Sequence, residues 1–195
     1  MGEAGEDRDW IDLAAAASGE GAAFERLVAR HQRRLHSLCL RLLHDPSEAE
    51  EMVQEVFLKL YRGAGGFDRR GQLFTLLYRI ATNLCLNRLR RRRIVRFVSL
   101  GGSGRATSED KASPIDPPDD APSAQARLEA RNRWRLARGA IERLPASQRA
   151  VLILVRLEGL SYQEAADALG VSLGAVESRL FRAMRRLEDE LREED

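Results

Sequence analysis

Aromatic side chains are scarce in this chain of 195 residues, at 6%, and cysteine is scarcer still, with two. Beside 44% hydrophobic and 32% charged residues, that shortage gives the balance of a helical, solvent-rich bundle. Cys39 and Cys85 stand far apart inside apolar helical patterns. They imply buried, reduced thiols and exclude a disulfide framework. The histidines, His31, His36 and His44, have neither metal spacing nor a neighbouring cysteine, so no metal and no other cofactor is expected. Long apolar runs are also missing. The longest, residues 151–155, is far too short to span a membrane, and no basic-plus-apolar leader opens the chain. A cytoplasmic protein without membrane insertion is the expectation. No carboxylate pair, nucleophile–base set or phosphate-cradling glycine loop is present, so neither an enzyme nor a small-molecule substrate is expected. Net charge is only +2. That average hides strong local polarity, and it excludes no nucleic-acid partner.

What is present is organised around residues 73–93, LFTLLYRIATNLCLNRLRRRR. Leu73, Leu76, Leu77, Ile80, Ala81 and Leu84 recur at three- and four-residue steps, which in a helix makes one stripe for burial. The other side offers Tyr78, Arg79, Thr82, Asn83 and Asn87, and the stretch ends in Arg88, Arg90, Arg91, Arg92 and Arg93. Aromatic, amide and guanidinium groups suit phosphates and base edges. Cations also favour a helix C-terminus, but so many neighbouring arginines repel one another unless a polyanion neutralises them.

Along the chain, residues 1–21 are acidic and rich in small side chains, a frayed start with a possible short helix over residues 10–17. Phe24, Leu27, Val28, His31, Leu35, Leu38, Cys39 and Leu42 mark one face of a helix ending near His44. Asp45 can cap the next helix, Pro46 suits its first position, and Glu48 sits where a capping box wants it. That helix, to about Arg62, buries Ala49, Val53, Val56, Phe57 and Leu60 and carries Glu50, Glu51, Gln54, Glu55 and Lys59 on its other faces. Gly63, Gly65, Gly66 and Gly71 then make a loop around Phe67. Residues 22–96 form one helical unit. Residues 97–123, with Asp116, Pro117, Pro118, Asp119 and Asp120, read as a flexible linker. From residue 124 a second unit carries Leu128, Trp134, Leu136 and Ile141, breaks at Leu144 and Pro145, and continues as a very apolar helix over residues 147–158. Ala166, Gly170 and Val176 then show helix-turn-helix spacing: a small residue for close approach, a glycine for the turn, and a core plug. The second helix exposes Gly174, Glu177, Ser178, Phe181, Arg182 and Arg185 as a groove-reading face.

Three of these motifs, in order, resemble those of the extracytoplasmic-function sigma factors of the sigma-70 family, the small kind that keeps only the second and fourth sigma domains. They are AEEMVQEVFLKLYR at residues 49–62, the stretch at residues 73–93, and LSYQEAADALGVSLGAVESRLFRAMRRL at residues 160–187. The resemblance covers roughly residues 9–96 and 124–191. It implies an all-α chain of two small helical domains, a promoter-specificity subunit acting with core RNA polymerase and promoter DNA. Glu51, Gln54 and Glu55 would face the clamp helices of the largest polymerase subunit, and the flap would be a second contact. Gly63, Phe67, Arg79, Ile80, Asn83, Asn87 and Arg88 would hold the minus-ten element and an extruded base. Ser172, Gly174, Ser178, Arg179, Phe181, Arg182 and Arg185 would meet the minus-thirty-five element. An anti-sigma factor clasping both domains, and a role in a stress response, are implied as well. This sequence has Leu76 where the family usually has tryptophan, Leu73 for phenylalanine and Glu51 for aspartate; Glu177 stands where a basic residue is common. The alternatives from other classes are a stand-alone helix-turn-helix regulator and an arginine-rich RNA-binding or scaffold protein.

Overall fold

The computed structural model describes residues 3–67, 72–99 and 135–193, all of them helical or in short connections. Residues 100–123 of the expected linker, the first residues of the expected second unit and Gly71 lie outside the described residues; residues 97–99, expected in the linker, instead continue the preceding helix, which ends at Ser99. No strand occurs among the described residues, as an all-α chain requires. None of the described helices is long and apolar enough to cross a membrane.

Four helices form the first unit: α1 (Glu3–Ala17), α2 (Gly21–Leu43), α3 (Pro46–Gly63) and α4 (Leu73–Ser99). Their core is aliphatic. Leu27, Leu35, Leu38 and Leu42 of α2 meet Val56 and Leu60 of α3 and Leu73, Leu77 and Ala81 of α4, all at 1% exposure or less. Full burial stabilises by about 2 kcal/mol per leucine. Cys39 and Cys85, distant in sequence, are free and buried in this core. A hydrogen bond with the Cys39 thiol, together with burial, raises the pKa of Cys85 far above its usual value.

The start of the chain is not frayed where it touches α2. Asp9 and Asp12 are 7% exposed and Leu13 2%, and the two carboxylates are gripped from α2. Arg26 donates to Asp12 at 3.0 and 2.7 Å, Arg30 to both Asp9 and Asp12, and His31 lies 2.8 Å from Asp9. Hydrogen bonds from Arg26 and Arg30 hold the Asp12 carboxyl below its ordinary pKa. Burial pushes Asp9 the other way, but His31 and Arg30 outweigh it. Buried carboxylates so far from their partners in sequence leave no local periodic signal.

At the α2–α3 corner, His44 adopts φ 55, the left-handed cap that lets its N–H donate to the Leu40 carbonyl at 2.8 Å. Asp45 then accepts from the Glu48 N–H at 3.0 Å, with Pro46 in the first turn, as the sequence implies. The capping box is not closed, however. The Glu48 carboxylate turns instead to Arg92 of α4, which donates to it at 3.0 Å, because an ion pair with a guanidinium outcompetes a return bond to a neutral N–H.

Burial, then the guanidinium groups of Arg149, Arg138 and Arg92, push the His44 pKa down from 6.5 to about 4. Glu142, 3.6 Å from the ring, is outweighed by those three cations. The unfolded chain therefore binds a proton near pH 6.5 that the folded chain refuses until about pH 4. Stability from neutral His44 is complete above the upper value and is lost as pH falls through this window. In urea titrations, His44→Asn, which tolerates the left-handed backbone, is expected to flatten the acid-side decline by as much as about 3 kcal/mol. Parallel pH profiles for the two proteins would contradict this.

The second unit comprises α5 (described over residues 135–143), α6 (Ala146–Leu152), which runs into one π-helical turn (Ile153–Leu157), then α7 (Tyr162–Leu169) and α8 (Leu173–Glu193). Buried Arg149, 6% exposed, donates to the Glu142 carbonyl at 3.0 Å and so satisfies the end of α5. Ser161 and Glu164 close a reciprocal capping box at the start of α7. Gly170 ends α7 at φ 63, with its N–H on Ala166, while Ala166 and Val176 are 1% and 0% exposed. That is the expected helix-turn-helix corner.

The two units touch. Helix α7 packs on α4, and Glu158, just past the π turn, reaches across to the first unit. Its carboxylate accepts from the Tyr78 hydroxyl at 2.8 Å and pairs with Arg41 of α2. This corrects the placement of Tyr78 and Thr82 on the phosphate-facing side of α4: they are 2% and 0% exposed. Periodicity identified α4 correctly but could not show that a second helical unit covers one edge of its polar side.

Candidate polymerase and nucleic-acid interface

On α3, Glu51 and Gln54 are exposed and Glu55 is half-buried, four residues before Lys59 with its carboxylate 3.4 Å from the ammonium. These residues form an acidic and amide ridge beside α4. It suits a basic helical partner, since carboxylates steer and orient cations across an interface. Glu51 is not idle: its carboxylate pairs with Arg88 of α4.

On α4, Arg79, Asn83 and Asn87 are exposed one above another at four-residue steps, with Ile80 half-buried beside them. Asn87 also lines the groove between α3 and α4, together with Glu51, Glu55 and Arg88. The acidic ridge and the amide stripe therefore adjoin. Gly63 and Phe67 are brought together at the end of α3: a Cβ on Gly63 would come within 2.6 Å of the Phe67 ring. The glycine is what lets that ring lie against the helix end.

The basic end of α4 is less free than its sequence suggests. Arg88 is held between Glu51 and Glu48, and Arg92 reaches Asp45 at 3.4 Å and donates to the Leu43 carbonyl at 3.3 Å. Arg90, Arg91 and Arg93 are exposed. Arg88, expected to meet DNA, thus has a structural role in this state of the protein. The signal in the sequence is the acidic start of α3, where Glu48 and Glu51 hold Arg88 and Asp45 and Glu48 hold Arg92.

On α8, Gly174, Ser178, Phe181, Arg182 and Arg185 share an exposed face, Phe181 at 68%. The Ser172 hydroxyl accepts from the Ala175 N–H at 3.3 Å and caps the helix. Arg179 is half-buried and projects to the flank rather than with the others. A solvent-facing phenylalanine among arginines adds nothing to the core; its ring and the guanidinium groups around it have the chemistry that suits the apolar and acceptor-rich floor of a DNA major groove. Helix α7 crosses behind α8 through the Gly170 turn, leaving this face uncovered.

Residues 27–94 match Sigma-70 region 2 and residues 135–187 match Sigma-70, region 4. The chain is 35% identical to the ECF RNA polymerase sigma factor SigM of Mycobacterium tuberculosis, over 90% of its own length and 80% of that protein's. It is 31% identical to the ECF RNA polymerase sigma factor SigW of Bacillus subtilis, covering 90% of this chain and 92% of the relative. Among solved structures, CnrH in complex with the cytosolic domain of CnrY superposes with a TM-score of 0.65 at 27% identity, covering 96% of this chain and 99% of that one.

Proposed function

Because this chain belongs to the extracytoplasmic-function sigma factors of the sigma-70 family, we propose how its two units divide the work of directing core RNA polymerase to promoters. Glu51, Gln54 and Glu55 bind the basic clamp helices of the polymerase. Gly63, Phe67, Arg79, Ile80, Asn83 and Asn87 take the minus-ten element, and the exposed face of α8 takes the minus-thirty-five element. Core polymerase supplies the catalytic metal and the chemistry of RNA synthesis, so this chain is no enzyme by itself. It acts in the cytoplasm, where DNA and polymerase are, and an anti-sigma protein is its inhibitory partner, bound to it as the cytosolic domain of CnrY is bound to CnrH.

The observation that carries this reading is the groove between α3 and α4 in which Glu51 and Glu55 of the acidic ridge meet Asn87, the last residue of the amide stripe. A stand-alone operator-binding regulator has no use for it. Amides and an aliphatic side chain can return, by edge hydrogen bonds and stacking, the few kcal/mol that turning a base out of the duplex costs. Transcription in vitro with sigma-free core polymerase and genomic promoter fragments tests it. Added protein should create new start sites that share two upstream elements at fixed spacing. Asn83→Ala should leave closed complexes largely intact and reduce strand opening about tenfold by permanganate footprinting. A normal bubble with Asn83→Ala would remove Asn83 from the base-holding set, and an absence of new starts would remove the whole reading.

A further inference from the structure

We propose that Glu177 is a specificity-determining residue that selects a cytosine in the upstream promoter element; this rests on the reading of α8 as the helix that enters the major groove. Glu177 is exposed in the second turn of α8. It has no hydrogen bond or ion pair among the described residues. At about 100° per residue, Glu177 and Arg182 project about 140° apart, so the carboxylate occupies one flank of the reading face and the guanidinium the other. Gly174, one turn earlier, leaves open space, and Phe181, one turn later, offers no hydrogen-bonding group. Nothing on that flank neutralises the carboxylate or competes with it for a base edge.

Chemistry then narrows the choice of base. A carboxylate only accepts. In the major groove guanine shows two acceptors, and thymine shows an acceptor and a methyl group. Adenine shows an amino donor beside the N7 acceptor, whereas cytosine shows its amino donor with no acceptor next to it. Glu177 is therefore repelled by the acceptors of guanine and thymine, meets at adenine a donor offset by the neighbouring N7, and is bonded without opposition by cytosine. Its discrimination works through exclusion as much as attraction. A neutral or basic side chain here would lose that exclusion, and arginine would favour guanine through O6 and N7.

The test is transcription by core polymerase with the full chain on a promoter library randomised through the upstream element, with base frequencies read from sequenced transcripts. Wild type is expected to enrich cytosine about tenfold at one position. Glu177→Gln should lose that enrichment while every other position, and the minus-ten preference, stays as in wild type. Glu177→Arg should move the same position to guanine. Identical base frequencies at all positions for wild type and Glu177→Gln would overturn the proposal, as would a responsive position at which wild type prefers another base. A wild type that directs no start at all would instead remove the promoter-reading premise, and the proposal with it; abundant starts without a base shift would defeat Glu177 alone.

Discussion

Glu158→Ala is expected to lower the unfolding free energy by about 2–3 kcal/mol and to let the two helical units part, seen as an increased radius of gyration in small-angle X-ray scattering. The Glu158 side chain is 6% exposed and joins the units through Tyr78 and Arg41. Burial, and then the neighbouring carboxylate, raise the Tyr78 pKa well above its usual value, so the phenol keeps its proton and donates it. Truncation leaves that hydroxyl in a site only 2% exposed, without an acceptor. A stranded buried donor costs about 1–3 kcal/mol, and the loss of a largely desolvated ion pair adds to it. Arg41, 39% exposed, can rehydrate and limits the second contribution. Glu158→Gln retains an acceptor for Tyr78 and should recover most of the loss. Unchanged compactness and unchanged urea midpoint for Glu158→Ala would show that apolar packing of α7 on α4 joins the units without this bridge.

Combining Gln54→Ala with Glu51→Arg should weaken binding to core polymerase about a hundredfold or more while the helical far-ultraviolet signal is retained. Charge reversal within an interface turns attraction into repulsion, and a few kcal/mol is the usual scale for close charge pairs; about 1.4 kcal/mol corresponds to each tenfold. Folding should tolerate the change because the Glu51 side chain is 60% exposed and Gln54 is exposed. Reversal does place a cation beside Arg88 in a solvent-exposed pair, a penalty of about 1 kcal/mol or less. Affinity equal to wild type in a pull-down or by fluorescence anisotropy would move the polymerase-facing surface off this ridge.

Several elements could be read directly from short-range chemistry. Asp45 and Pro46 announced the start of α3, and Ala166, Gly170 and Val176 announced the α7–α8 corner, because caps and tight turns are fixed by residues a few positions apart. The amide stripe of α4 was legible for the same reason: Arg79, Asn83 and Asn87 repeat with the helix. What was missed lies at long range. Nothing near Asp9 and Asp12 in sequence hints that Arg26, Arg30 and His31 will neutralise them. Tyr78 and Thr82 have the composition of a wet surface, yet both are buried, Tyr78 between Phe74, Arg34 of α2 and Glu158 from the second unit. Glu158 ends an apolar helix and reads as an ordinary exposed acid until the π turn of residues 153–157 and the approach of α2 and α4 bury it. The position of Glu48 implies a bond to its own helix end, whereas Arg92, distant in sequence, claims it.

Under the proposed assignment, the pair between Glu51 and Arg88 couples the two macromolecules that would meet at this groove. Glu51 lies on the ridge proposed to face polymerase and Arg88 on the helix proposed to face DNA, yet in the free protein each satisfies the other. A partner that takes Glu51 sets a guanidinium free, and a phosphate that takes Arg88 sets a carboxylate free. Linkage makes the effect reciprocal: the factor by which polymerase raises affinity for DNA here is the factor by which DNA raises affinity for polymerase. Under that assignment, one ion pair would lower the affinity of the free subunit for either partner alone and return that affinity when both are present.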